Sequence, residues 1–251
     1  MEEHTEQVKC EESDKNLPAE SEATELGARD TQVFRFIHEQ GYLVFNQVRR
    51  AFWQDCSEIA GACYHRMEKL RNAGYLAKER AYRKKCWIYL LTEKGYAELV
   101  RLGLTSGVPL FKMNGQYQIN MDHDLKVTDL RIFFRQHGLD GWTSERVLKD
   151  RDFKSRTPDG VLNVYGDKVA IEFENSTKGR KRYKEIFDGY RQSKEYRRVF
   201  MIVDEEIKDW ALNLDYDTSQ IWFVNFKDLF RKKHEAVFEN KAASFVFARI
   251  L

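Results

Sequence analysis

The stretch TPDGVLNVYGDKVAIEFENSTKG (residues 157–179) holds two apolar runs, GVLNVY and KVAIEFEN, separated by Gly166-Asp167. Runs of this length, rich in Val and Ile and broken by a Gly-Asp pair, predict a β-hairpin. Successive side chains on a strand alternate between faces, so Val169, Ile171 and Phe173 share one face while Glu172 and Glu174 share the other. Two residues of strand rise put the two glutamates about 7 Å apart. Asp159, fixed by Pro158 at the start of the partner strand, lies where it can converge on them. Close carboxylates repel one another unless a cation lies between them. Hard divalent ions, Mg²⁺ or Mn²⁺, take such oxygen ligands, and can activate water and stabilise a pentacovalent phosphorus. The plain alternative is a solvated strand face with outward charges.

The segment after the hairpin points to an anionic partner. Lys178, Arg180, Lys181, Arg182, Lys184, Arg191, Lys194, Arg197 and Arg198 face only three acids, Glu185, Asp188 and Glu195, with Tyr183, Tyr190 and Tyr196 interleaved. A basic helix (Gly179–Glu195) studded with aromatics suits phosphate tracking, with Arg180 and Arg182 at its start. The apolar run VFMIV, a helix at EIKDWALNL, a strand at IWFVN, a helix at FKDLFRKKHEAVFE and a strand at ASFVFARIL complete the chain. Strands alternating with helices predict an α/β domain with a mixed sheet over residues 108–251.

Upstream the period is helical. Val33, Phe34 and Ile37 recur at helix spacing before Gly41; a second helix comes next with Asn46 as its N-cap, and a third with Ser57 as N-cap. The third carries Ile59, Cys63, Met67 and Leu70 on one face and ends at Asn72-Ala73-Gly74. YLAKERAY and CWIYLL flank the basic turn Arg83–Lys85 as a hairpin, and Thr92 caps a closing helix. Across residues 30–104 this order resembles winged helix-turn-helix DNA-binding domains, in which the third helix enters the major groove. The resemblance implies duplex contacts from Tyr64, His65 and Arg71 on that helix and from Arg83, Lys84 and Lys85 on the wing. GLTSG (residues 103–107) reads as a linker, Asn114-Gly115 as a hairpin turn, and residues 122–138 as a helix with His123 and Asp124 at its start. There Asp124 would serve as an N-cap and His123 as a satisfied polar group.

Charge and composition bound the rest. Residues 1–30 hold ten acids and three bases, which leaves 39 bases and 30 acids in the remaining chain. Residues 1–29 are polar and aperiodic, and read as a disordered acidic tail. No apolar run approaches 18 residues and no basic-then-apolar leader is present, so the expectation is a cytoplasmic bacterial protein without membrane insertion. The four cysteines show no CxxC spacing, which favours reduced thiols over zinc or disulfides.

Pro158-Asp159, twelve residues, then Glu172-Phe173-Glu174 resembles the PD-(D/E)xK nuclease superfamily, with glutamate at position 174 in place of the usual lysine. With the N-terminal helices and HDLKVTDLR (residues 123–131), the chain resembles the plasmid replication-relaxation family, which includes MobC-type relaxases of mobilisable plasmids. The resemblance implies an α+β architecture, a winged helix followed by a restriction-endonuclease-like domain. It implies metal-dependent, strand-specific nicking of double-stranded plasmid DNA at a transfer origin, with a coupling protein and other relaxosome proteins as partners. Asp159, Glu172 and Glu174 become the metal ligands and acidic site, and Lys178 the neighbouring cation; the nuclease resemblance implies that His123 or Asp124 adds to that site. The six histidines form no HxH, which disfavours a histidine-cluster relaxase. Tyr183 or Tyr190 would then be the nucleophile of a covalent route, or stacking and packing groups. Two alternatives stay open: a DNA-binding regulator of plasmid replication or transcription whose second domain is inert and forms a homodimer, and a defence-type endonuclease.

Overall fold

The computed structural model describes residues 24–54, 59–81, 84–150, 156–176, 179–214 and 219–251. The expected acidic tail falls mostly outside these residues, as do Ser57, Arg83 and Lys178. The architecture is mixed α+β, with two sheets.

The first sheet gathers α1 (Ala28–Gln40), β1 (Tyr42–Val44), α2 (Phe45–Phe52), α3 (Ile59–Asn72), β2 (Leu76–Ala81), β3 (Cys86–Leu91) and α4 (Glu93–Arg101), with strand order β1-β3-β2. Local chemistry sets its boundaries. The Asp30 carboxylate accepts from the Gly27 amide at 2.7 Å and caps α1. Gly41 at φ 96° and Gly74 at φ 79° end α1 and α3, a left-handed geometry that only glycine adopts cheaply. Thr92 Oγ1 accepts from the Gly95 amide at 3.2 Å, the cap expected for α4. Asn46 is no cap: α2 starts two residues earlier than that cap would set, with Val44 in the capping position and the Gln47 side chain accepting from its amide at 3.2 Å. Val33, Phe34, Ile37, Met67, Leu70, Tyr89 and Leu91 form one buried cluster.

The expected hairpin at Asn114-Gly115 is absent, because α5 (Gly115–Gln136) begins there. Val127, Leu130 and Phe134 recur at helical spacing and bury one side of a 22-residue helix, while Met121 packs on another side against Tyr42 and Ile88. His123 and Asp124 therefore lie inside α5 rather than at its start, and Asp124 is not an N-cap. Gly138 ends the helix at φ 81°, as its position predicted.

Beyond it run β4 (Trp142–Ser144), α6 (Glu145–Asp150), β5 (Gly160–Val164), β6 (Asp167–Glu174), α7 (Arg180–Gln192), β7 (Arg198–Val203), α8 (Glu205–Leu212), β8 (Ile221–Asn225), α9 (Phe226–Lys232), β9 (Val237–Glu239) and β10 (Ser244–Val246). The order in the second sheet is β10-β9-β8-β7-β6-β5-β4; β6, β7 and β8 pair in parallel, and the other neighbours are antiparallel. The sheet is thus mixed, as expected. The expected last helix and strand are shorter than read: α9 stops at Lys232, and residues 247–249 turn into a 3-10 helix after β10.

Alternation on β6 sorts the two cores. Val169, Ile171 and Phe173 join Val127, Leu130 and Phe134 of α5, while Ala170 faces Tyr183, Ile186, Phe187 and Tyr190 of α7. Ile132, on another side of α5, is buried in the core of the first sheet. One helix therefore serves both cores. Polar contacts reinforce it: Arg50 pairs with Asp129 at 2.8 Å, Gln47 Nε2 donates to the Leu125 carbonyl at 2.9 Å, and Ser144 Oγ donates to the Glu39 carbonyl at 2.6 Å. No helix among the described residues is long and apolar enough to cross a membrane.

Candidate functional site

The hairpin of β5 and β6 forms with Gly160 opposite Ile171, so Asp159 lies beside the Glu172–Phe173 step of the neighbouring strand. Asp159 Oδ2 accepts a 2.8 Å hydrogen bond from the Phe173 amide. It also lies 3.2 Å from His123 Nε2 on α5. His123 Nδ1 is 3.5 Å from Asp124 Oδ1, and the Tyr42 hydroxyl donates to Asp124 Oδ2 at 2.9 Å. A chain of polar groups, Tyr42–Asp124–His123–Asp159, thereby links β1 of the first sheet to the start of β5. Burial opposes charge on His123, but its hydrogen bonds to Asp124 and Asp159 outweigh that and hold the imidazolium up to about 10.

The other side of β6 carries Glu172 and Glu174, both buried. Glu172 Oε1 accepts from Arg156 Nε at 2.9 Å and from the Tyr190 hydroxyl of α7. Burial first, and then the nearby Asp159 carboxylate, push Glu172 up to about 7 against the pull of Arg156. Glu174 Oε1 turns back to accept from the Ser176 amide at 3.1 Å and its hydroxyl at 3.0 Å. The expected convergence is therefore partial. Asp159 and Glu172 feel each other's charge, each held by its own partners, while Glu174 is engaged beyond the strand end. Among the described residues no group of three His, Cys, Asp or Glu side chains stands close enough to hold a metal ion.

Two features were not legible in the sequence. Arg156, the cation that neutralises Glu172, precedes the hairpin and belongs to no spacing pattern. Tyr42 lies 82 residues before its partner Asp124. The polar chain opens on a cleft of about 250 Å³ whose lining includes Glu39, Tyr42, His123, Asp124, Lys149 and Asp159. Residues of both sheet assemblies make its wall.

The remaining expected residues separate into surface and interior. Tyr64, His65 and Arg71 are exposed on α3, with Arg71 Nη2 2.9 Å from Glu68. Lys84 pairs with Asp122 of the long helix α5, and Lys85 next to Lys84 is exposed at φ 51°. Arg180 and Arg182 are exposed at the start of α7, Arg182 within 3.1 Å of Glu185. Tyr183 and Tyr190 are both buried, and the Tyr190 hydroxyl is spent on Glu172. These rings pack and orient; neither offers its oxygen at a surface.

A family model described as replication-relaxation matches residues 34–200, well over half of the chain and all of the constellation above. No curated protein and no solved structure matches. The chain belongs to the replication-relaxation family.

Proposed function

We propose that this protein is a plasmid mobilisation relaxase that nicks one strand of duplex DNA. In this reading the α1–α4 assembly acts as a winged helix that locates the origin, and the seven-stranded sheet is a PD-(D/E)xK-like nuclease. Family membership supports a role in plasmid replication or relaxation. The observation that carries the nicking reading is Asp159 in the wall of a cleft lined by both assemblies, with the Glu172 carboxylate of the neighbouring strand near enough to be raised by its charge.

The donor chemistry suits a hard divalent ion, Mg²⁺ or Mn²⁺, which accepts one or two carboxylates and keeps several waters. Asp159 and Glu172 would hold it; burial first, and then repulsion from Asp159, raises Glu172, and a cation there would offset both. Held by these two carboxylates, the ion would supply Lewis acidity toward a water and toward the scissile phosphodiester. The chain's own groups prepare the site. The Phe173 amide and His123 fix the Asp159 carboxylate, and Arg156 and Tyr190 fix that of Glu172. The His123 imidazolium adds positive charge to the cleft wall. Glu174 stays with Ser176, and a role for Lys178 rests on the sequence alone. A coupling protein and other relaxosome components are the partners this function requires.

Supercoiled plasmid with and without the cognate origin, incubated with protein and Mn²⁺, tests the reading. Wild type is expected to accumulate open circles of the origin plasmid, and Asp159→Asn and Glu172→Gln to do so at least about a hundred-fold more slowly. Equal relaxation by wild type and Asp159→Asn, or none by either, sinks it. One observation favours a second reading: Arg156 already neutralises Glu172, as in a purely structural ion pair. A DNA gel shift that survives without any nicking supports that non-catalytic regulator.

A further inference from the structure

The wing strands carry a feature that neither the fold nor the nicking reading uses. On β2 and β3, Lys78 pairs across the ladder with Tyr89, and Arg80 with Trp87. Cross-strand partners share a face. Leu76, Tyr89 and Leu91 on that face pack against Met67 and Leu70 of α3. Two residues further out, the apolar face continues into water: Trp87 is 50% exposed, and Tyr64 of α3 is 46% exposed. Lys78 Nζ lies between the rings, 5.6 Å from the Trp87 centroid and 5.8 Å from that of Tyr64, and the Arg80 guanidinium lies 5.9 Å from Trp87. Arg71 borders the patch, and the acid among these groups, Glu68, is shared between Arg71 and Lys78. Glu79 alternates to the opposite face of β2.

Two large exposed rings with cations beside them match one class of ligand. Stacked bases of a duplex present only their edges to a groove, where hydrogen-bonding groups read them. The π-faces of Trp and Tyr complement the π-faces of unstacked bases, and each such stack strengthens binding irrespective of base identity. Interleaved Lys and Arg neutralise the phosphates between successive bases.

We propose that Trp87 and Tyr64 form a stacking platform for the unpaired bases of a single DNA strand, with Lys78 and Arg80 holding its phosphates. This rests on the DNA-binding reading above and extends it, because nicking and relaxation release a single strand next to the site that α3 would recognise. Trp87 belongs to the strand of the wing, whereas duplex contact by a wing is expected of its tip.

The test is fluorescence anisotropy on the full-length protein, with a labelled mixed-sequence single-stranded oligonucleotide and the duplex of the same sequence at one salt concentration. Trp87→Ala is expected to weaken single-strand binding about ten-fold. Trp87→Phe should retain most of the affinity, Tyr64→Ala should add to the loss, and the duplex affinity of the two Trp87 variants should stay within about two-fold of wild type. Circular dichroism and melting temperature confirm that each variant is folded. Wild-type affinity in Trp87→Ala, or equal loss in Trp87→Ala and Trp87→Phe, overturns the proposal. Duplex binding without single-strand binding also overturns it and leaves the DNA-binding reading standing. Binding of neither form by wild type overturns both.

Discussion

Glu39 on α1 and Arg131 on α5 form a buried ion pair that ties the three-stranded assembly to the helix beneath the larger sheet. Ser106 Oγ donates to Glu39 at 2.7 Å, Arg35 Nε at 2.9 Å, and the Arg131 guanidinium stacks 3.9 Å from the Phe36 ring centroid. Burial alone would raise the Glu39 carboxyl, but Arg131, Ser106 and Arg35 together hold it below its ordinary value of 4.5. A carboxylate depressed on folding adds stability above its unfolded pKa, and that contribution fades as pH falls through the folded value. Thermal melts of wild type should therefore lose stability below about pH 4.5, and Glu39→Gln should flatten that acid limb. Arg131→Met, which strands the acid in the interior, should cost about 3–5 kcal/mol at neutral pH. An unchanged melting temperature in Arg131→Met would contradict the buried pairing.

The sharing of α5 between two cores predicts joint unfolding. Ile132 packs in the core of the first sheet, while Phe133 and Phe134 pack in that of the second. Ile132→Ala should cost about 2–5 kcal/mol. Because the helix is common to both, urea unfolding should remain a single transition, coincident by near- and far-ultraviolet circular dichroism. Two separated transitions would show that the assemblies fold independently.

Gly160 follows Asp159 directly, and a Cβ there would fall 2.1 Å from Cζ2 of Trp142 across the β4–β5 pair. No side chain larger than hydrogen fits without moving the indole from its stack on Phe134. Gly160→Ala should destabilise by about 1–3 kcal/mol, with a changed near-ultraviolet tryptophan signal. Gly160→Ala paired with Trp142→Leu should recover part of the loss. A silent Gly160→Ala would rule out this close approach.

Glu172 titrates in the opposite sense to Glu39. Its folded value, about 7, lies above the ordinary 4.5, so the folded chain binds this proton more tightly. This group's contribution to stability accordingly falls as pH rises between 4.5 and about 7. Carboxyl-carbon NMR of glutamate-labelled protein should show one midpoint near 7. Arg156→Met and Tyr190→Phe should each raise it by removing a group that favours the ionised form, and saturating Mg²⁺ should lower it. A midpoint near 4.5, or indifference to Arg156→Met, would refute the arrangement.

Much of this was readable in the order of residues, because it rests on local rules. Alternation in KVAIEFEN fixed which β6 side chains share a face; Gly41, Gly74 and Gly138 marked helix ends because each end needs a positive φ; Thr92 announced α4 through its hydroxyl. Local signals also misled. Asn114-Gly115 is a strong turn pair, yet the apolar spacing after it is helical, and tertiary burial of that face outweighed the turn propensity. β1 and β4 were missed because three-residue strands carry too few positions to show a period.

By itself the sequence determined the mixed α+β composition, the hairpin, the side of β6 to which Glu172 and Glu174 belong and the basic, tyrosine-bearing α7, since each follows from backbone periodicity over a few residues. Only the tertiary structure decided what each carboxylate meets. Asp159 turned to the Phe173 amide and His123, Glu172 to Arg156 and Tyr190, and Glu174 to Ser176. A buried charge must find a partner wherever packing places one, and His123, Tyr190 and Arg156 come from α5, α7 and the segment before β5, at separations from their carboxylates that no local pattern records.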